Sequence, residues 1–345
     1  MNDDYLNSLL KKINQPKFRL GQIRKAVFQD GVSSFSEITT LSKDLREMME
    51  KKINFLSFDV EKVLIAKNKQ SMKALLRLRD GNLIETVLIS PITGSWSACI
   101  SCQVGCQMGC RFCATGKMGF KRNLTAEEIT DQVLFWKQYL KKNNIPGSFS
   151  NIVYMGMGEP FNNWDEVSAS IRNLTDQELF GFGSRSISVS TAGIAEGIER
   201  MAQEFPQVNL AISLHFATDE KRGEFMPINK KDNLESLRMA LRKYFESTKR
   251  KVFLEYVMLE GMNDSASDAF DLSKYIKSIG KLQLLHVNLI RYNATSDPPA
   301  GGLVPSTKAR TERFRAELER YGIPVTIRKS LGEEIQGACG QLAGK

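Results

Sequence analysis

Residues 95–128 read SWSACISCQVGCQMGCRFCATGKMGFKRNLTAEE, and five of the chain's six cysteines fall within this stretch, at 99, 102, 106, 110 and 113. SWSACISC (95–102) has the apolar character of a strand. Thr125-Ala-Glu-Glu128 is a capping-box pattern that predicts a helix running to about Lys142. The cysteines therefore belong to a loop between a strand and a helix. In an intracellular enzyme, thiols this dense point to metal binding or thiol chemistry and not to structural disulfides. Gly105, Gly109 and Gly116 let such a loop wrap closely around an inorganic core.

Downstream, strand-like and helical segments alternate. NIVYMG (151–156), SISVST (186–191), VNLAISLH (208–215), VFLEYVML (252–259) and LLHVNLIRY (284–292) predict strands. Helical patterns fall between them, as at 233–246, and one follows the last at 306–321. Apolar strands alternating with helices predict an α/β fold, a parallel sheet covered by helices, and about six units predict an open partial barrel. Its chemistry belongs at the C-terminal ends of the strands. The cysteine loop, Gly158-Glu159, Ser190, Ser213-Leu214-His215 and Asn293 all stand at such ends.

Upstream, FRLGQIRKAVFQ and LSKDLREMMEKKI predict short helices within 17–52. VEKVLIA, KALLRLRD and LIETVLIS predict strands within 60–90, with a hairpin turn at Asp80-Gly81. The expected organisation is an α+β accessory domain over 1–93, the barrel over 94–330, and a tail over 331–345 carrying Cys339. Its glycine-flanked setting in GACGQL suits a tail that moves in and out of a site.

The chain carries 48 Lys/Arg against 39 Asp/Glu, a net charge of +9. Residues 1–80 supply +6 of this, so the accessory domain is the expected contact for a polyanion such as nucleic acid. No run of about 18 apolar residues occurs, which excludes a transmembrane helix. MNDDYLNSLLKKI has two early acids and no apolar signal core, so a cytoplasmic location without membrane contact is expected.

Two metal chemistries fit the cysteines. Cys99-x2-Cys102 with Cys110-x2-Cys113 could form a four-thiolate zinc site, as in a non-catalytic RNA-binding protein, leaving Cys106 idle. Cys106-x3-Cys110-x2-Cys113 could instead hold a [4Fe–4S] cluster by three thiolates, leaving one iron open to substrate.

Cys-x3-Cys-x2-Cys with Phe112 before its last cysteine resembles the radical S-adenosylmethionine (SAM) superfamily. The longer stretch CQVGCQMGCRFCATGKMGFKRNLTAEEITDQV resembles one branch, the RlmN/Cfr family of RNA methyltransferases. PKFRLGQIRKAVFQDGVSSFSEIT, NIVYMGMGEP, SISVSTAGI, AISLH, MPIN, HVNLIRYN and GACGQL extend the resemblance, in order, over nearly the whole chain. It implies a radical SAM barrel, with Cys106, Cys110 and Cys113 as ligands of one [4Fe–4S] cluster. SAM contacts are implied for Gly158, Glu159, Ser190, Ser213, Leu214, His215 and Asn293.

Two SAM molecules per turnover are implied. The first methylates Cys339, because an adenine ring carbon is too electron-poor to displace the methyl group itself. The second yields a 5′-deoxyadenosyl radical that takes hydrogen from the S-methyl group, and the methylene adds to the ring. Glu85 is the implied base, and Cys99 the thiol that resolves the RNA adduct by forming a disulfide with Cys339. The implied product is 2-methyladenosine in 23S rRNA, at the peptidyl-transferase centre, and in tRNA, 3′ of the anticodon. The enzyme would be a monomer served by an electron donor such as flavodoxin with its reductase. The alternative is C8 methylation of the rRNA, which confers antibiotic resistance. NLIRYN is nearer that branch than the proline-containing pattern of RlmN. Cys102 stands where the family usually has Ser and is expected to be a small buried residue.

Overall fold

The computed structural model describes residues 3–294 and 302–344. Twelve strands occur among these: β1 (Phe58–Ile65), β2 (Ser71–Leu78), β3 (Leu83–Ile92), β4 (Ser95–Cys99), β5 (Gln103–Gly105), β6 (Phe120–Asn123), β7 (Ser148–Tyr154), β8 (Ile187–Thr191), β9 (Asn209–Ser213), β10 (Val252–Met258), β11 (Leu285–Arg291) and β12 (Val325–Ile327). Ten form one sheet in the order β1-β2-β3-β4-β7-β8-β9-β10-β11-β12, and β5 pairs with β6 apart from it. From β4 to β12 every neighbour is parallel. Helices such as Ala126–Lys142, Trp164–Thr175, Leu234–Ser247 and Ala266–Ile279 connect the strands.

The period of two along the strands separates helix side from concave side. In β8, Ile187, Val189 and Thr191 are buried while Ser188 and Ser190 are half-buried. In β11, Leu285, Val287 and Leu289 are buried while His286, Asn288 and Ile290 are half-buried. Parallel register then aligns Ser213, Glu255, Asn288 and Thr326 in one row across β9, β10, β11 and β12. Polar side chains thus collect without any motif joining them in sequence.

The capping box forms as expected: Thr125 Oγ1 accepts from the Glu128 N–H at 3.2 Å, and Glu128 Oε2 accepts from the Thr125 N–H at 3.0 Å. The helix it opens buries Trp136 fully. The indole N–H of Trp136 donates to Thr86 Oγ1 on β3 at 3.1 Å, tying the first barrel helix to a strand from the accessory region.

Three features differ from expectation. A helix forms at Asp3–Lys12. A seventh parallel strand, β12, follows the six expected; its three residues are too few to display a period. And β3 pairs antiparallel with β4, Val87 opposite Cys99 and Leu88 opposite Ala98, so the sheet runs unbroken across residues 93 and 94. No described helix is long and apolar enough to cross a membrane.

Candidate active site

A cavity of about 240 Å³ opens at the C-terminal ends of the parallel strands. Five of the six cysteines line it: Cys99, Cys106, Cys110, Cys113 and Cys339. All six are free thiols in this state.

The cysteine loop is shaped by its glycines. Gly105 has φ +76°, and a Cβ there would overlap the carbonyl oxygen of Gly119. That close approach lets the Cys106 N–H donate to Gly119 O at 2.9 Å. A Cβ on Gly116 would come within 2.9 Å of the Cys110 nitrogen. Arg111 anchors the loop outward, its guanidinium 2.6 Å from Glu224. Phe112 packs edge-on against the His215 ring, with centroids 4.9 Å apart.

The three cluster-motif thiols all face one cavity, as the donor set of a [4Fe–4S] core must. Burial pushes the Cys106 thiol up to about 12 and raises Cys110 as well, so a cation such as cluster iron would be needed to hold them as thiolates. Each thiolate of such a core binds a different iron, so the ligands stand farther apart than those of one ion. Among the described residues, no three His, Cys, Asp or Glu side chains converge on a single-ion site. Cys102 is 2% exposed, does not line the cavity, and behaves as the small buried residue expected. A four-thiolate zinc site is therefore not formed.

Opposite the loop lies Gly158-Glu159. Gly158 has φ +104°, and a Cβ there would stand 2.6 Å from the Cβ of Gln103. Gln103 Oε1 accepts from the Glu159 N–H at 2.8 Å. The Glu159 carboxylate is 3% exposed and accepts backbone N–H bonds from Ala192 at 2.7 Å and Phe161 at 3.1 Å. Burial nevertheless raises it from 4.5 to about 7, against the pull of those N–H groups. A buried carboxylate in that condition suits an ammonium group, which restores its charge.

Ser190 and Ser213 also line the cavity, with their hydroxyls 3.5 Å apart. His215 lines it too, at φ +59°. Asn293 is committed to neighbours: its Nδ2 donates to Cys339 O at 3.3 Å and its Oδ1 accepts from Ser330 at 2.8 Å. Leu214 is fully buried and does not line the cavity, and its N–H already donates to the Glu255 carbonyl at 3.1 Å. Glu85 does not line the cavity either. It is 1% exposed, paired with Lys73 at 2.7 Å, and covered by the C-terminal tail. Without the resemblance it reads as an exposed acid on a strand; the structure buries it under that tail.

Glu255 and Arg328 are among the cavity residues that the sequence reading did not single out. Glu255 accepts from Arg328 Nη1 at 3.3 Å and from Asn288 Nδ2 at 2.9 Å. The enclosing wall raises the thiols of Cys99 and Cys339, although Cys339 keeps an exposed surface, and the Arg328 charge opposes that rise at both. An acid inside the apolar run VFLEYVM was a visible signal for Glu255. Arg328 had none, because it reaches the cavity through the short β12.

Residues 100–272 match the Radical SAM superfamily, and residues 1–54 match the Ribosomal RNA large subunit methyltransferase N-terminal domain. The Ribosomal RNA large subunit methyltransferase Cfr of Clostridium botulinum (strain Okra / Type B1) is 40% identical over 98% of this chain and 95% of its own. The probable dual-specificity RNA methyltransferase RlmN of Chloroflexus aurantiacus is 40% identical over 99% and 90%. The chain belongs to the RlmN/Cfr family of radical SAM RNA methyltransferases. Among solved structures, a radical SAM methyltransferase from Sphaerobacter thermophilus superposes with a TM-score of 0.91 at 36% identity, covering 100% of this chain and 98% of that one. Membership in the RlmN/Cfr family makes this an enzyme that uses a [4Fe–4S] cluster and SAM, modifies RNA and needs a reductant. It overturns the zinc-dependent, non-catalytic RNA-binding alternative.

Proposed function

We propose that the protein methylates C2 of adenosine in 23S rRNA and in tRNA, with Cys339 as methyl carrier. The observation that carries this reading is the sharing of one cavity by Cys339, Cys99 and the three cluster-motif thiols. Carrier, resolving thiol and radical source must meet at one substrate carbon, and a single cavity allows it.

Cys106, Cys110 and Cys113 hold the cluster, Glu159 receives the SAM ammonium group, and Ser190, Ser213, His215 and Asn293 complete the SAM wall. When bound, the cluster and SAM supply the methyl group, the hydrogen-abstracting radical and the one-electron exchange that the sequence requires. The Cys339 thiolate attacks the methyl carbon of a first SAM, forming an S–C bond as S-adenosylhomocysteine leaves. After hydrogen abstraction, the methylene on Cys339 joins the adenine carbon. Glu85 then takes the proton from that carbon, and the adduct's unpaired electron leaves in the same one-electron exchange. The Cys99 thiolate attacks the Cys339 sulfur, the S–CH2 bond breaks toward the base, and a proton completes the methyl group. The resulting Cys99–Cys339 disulfide is reduced for the next turnover. Arg328 supports both thiolates from the cavity wall.

The basic accessory region contacts the RNA, and a flavodoxin-type donor delivers electrons to a cytoplasmic monomer. C8 methylation of the rRNA adenosine is the second reading, favoured by relatives named Cfr at 40–41% identity. Anaerobic turnover on 23S rRNA fragments and tRNA, followed by nucleoside mass spectrometry against standards, decides. 2-Methyladenosine supports the proposal, and 8-methyladenosine replaces it with the second reading.

A further inference from the structure

The segment bearing Cys339 is tied down at the thiol's own residue and beyond it. Asn293 holds its carbonyl, and Gln341 Nε2 donates to Ala294 O at 2.8 Å. Beyond the thiol, the Ala114 N–H donates to Gly340 O at 2.8 Å, and Thr115 Oγ1 donates to Leu342 O at 2.7 Å. Both donors directly follow Cys113, so this strap lies against the cluster loop. Its last two described residues, Ala343 and Gly344, donate their N–H groups to Oε2 of Glu85 at 2.7 and 3.2 Å.

The other oxygen of Glu85 belongs to Lys73. The β2–β3 register places Leu75 opposite Glu85 and Lys73 opposite Val87, which makes Lys73 and Glu85 diagonal neighbours on one face of the pair. Both are buried, at 5% and 1% exposure. A carboxylate so deeply buried needs its full set of donors, and here the tail amides complete that set. Such charge-assisted bonds are stronger than those between neutral groups.

We propose that Glu85, oriented by Lys73, is a positioning residue for Cys339. It clamps the strap 340–344, with Thr115 as the second hold, and so keeps the thiol in the cavity. The clamp gives Glu85 two successive roles. While it grips the strap, Oε2 is occupied by the tail amides; residues 343–344 must let go of that oxygen, with Cys339 still joined to the ring, before Glu85 can receive a proton. Removal of the ring proton is thereby coupled to loosening of the strap. This inference rests on Cys339 being the methyl carrier, but the clamp itself can be measured without RNA.

The test uses anaerobic holoenzyme without RNA or reductant, comparing the parent with Glu85→Gln and Thr115→Val. Hydrogen exchange of the C-terminal peptide is followed by mass spectrometry, alongside labelling of Cys339 by a PEG-maleimide too bulky for the cavity. Both rates should rise roughly tenfold in Glu85→Gln, the equilibrium change expected on losing a charge-assisted hydrogen bond, and several-fold in Thr115→Val. Labelling of Cys99, scored in its own peptide, should stay at the parental rate, which general loosening would not allow. Unchanged strap exchange in Thr115→Val, or an equal rise at Cys99 in either variant, overturns the clamp. Failure of the methyl-carrier reading shows separately, as RNA methylation that survives Cys339→Ala.

Discussion

The backbone N–H of Val257 donates to Nδ1 of His215 at 3.1 Å. An N–H can only donate, so Nδ1 must accept, and the neutral ring carries its proton on Nε2. Burial together with the Arg222 charge lowers His215 from 6.5 to about 3. The ring is therefore a fixed neutral wall of the cavity across the physiological range.

The pH consequence has a definite sign. Between pH 6.5 and about 3 the unfolded chain takes a proton at this site that the native chain refuses. Native stability is accordingly full above pH 6.5 and falls below it by about 1.4 kcal/mol per pH unit. The stability advantage of the parent over His215→Gln should shrink by about 2 kcal/mol between pH 7.5 and pH 5. Urea unfolding of cluster-free protein measures it; a constant gap would mean that the histidine is protonated in the native state.

Replacing Cys106, Cys110 or Cys113 with Ala should remove bound iron, the brown absorption and all methylation. Cys102→Ser should keep the cluster and turnover, because that side chain is buried and does not line the cavity. Iron analysis and visible spectra of anaerobically reconstituted variants provide the measurement. A Cys102 variant without iron would reassign the ligand set.

Cys99→Ala should trap Cys339 covalently on its RNA, since the proposed release needs the Cys99 thiol. Denaturing gels would show a protein–RNA band that resists boiling and disappears on ribonuclease treatment. Normal turnover in this variant would be incompatible with the resolving role.

Glu159→Gln should weaken SAM binding roughly ten- to hundred-fold, corresponding to about 1.5–3 kcal/mol for a hydrogen bond to a charged group. Anaerobic calorimetric titration of the holoenzyme reads this directly. An unchanged dissociation constant would place the SAM ammonium elsewhere.

Gly158→Ala should destabilise the fold by about 1–3 kcal/mol, the usual cost of one residue held in an unfavourable backbone region. The added Cβ also meets Gln103, which holds the Glu159 N–H, so SAM affinity should fall with the thermal midpoint. A variant with parental stability would show that the loop relaxes freely.

The strands, the capping box and the three-thiolate motif were legible because each is local: a period of two, a spacing of three, a spacing of two. The committed state of Glu85 and Asn293 was not. Nothing in LIETV shows that tail amides more than 250 residues later will complete a buried carboxylate's donors, and nothing around Asn293 shows that it holds the Cys339 carbonyl.

The sequence by itself determined the family, the order of βα units and the thiols able to ligate iron, since those depend on spacing along one chain. Tertiary structure alone decided that Cys99 and Cys339 share a cavity, that Arg328 and Glu255 face them, and that the strap bearing Cys339 is fastened over the cysteine loop. These are relations between strand ends far apart in sequence. They are set by parallel register and by the need of buried polar groups for partners, neither of which leaves a local trace.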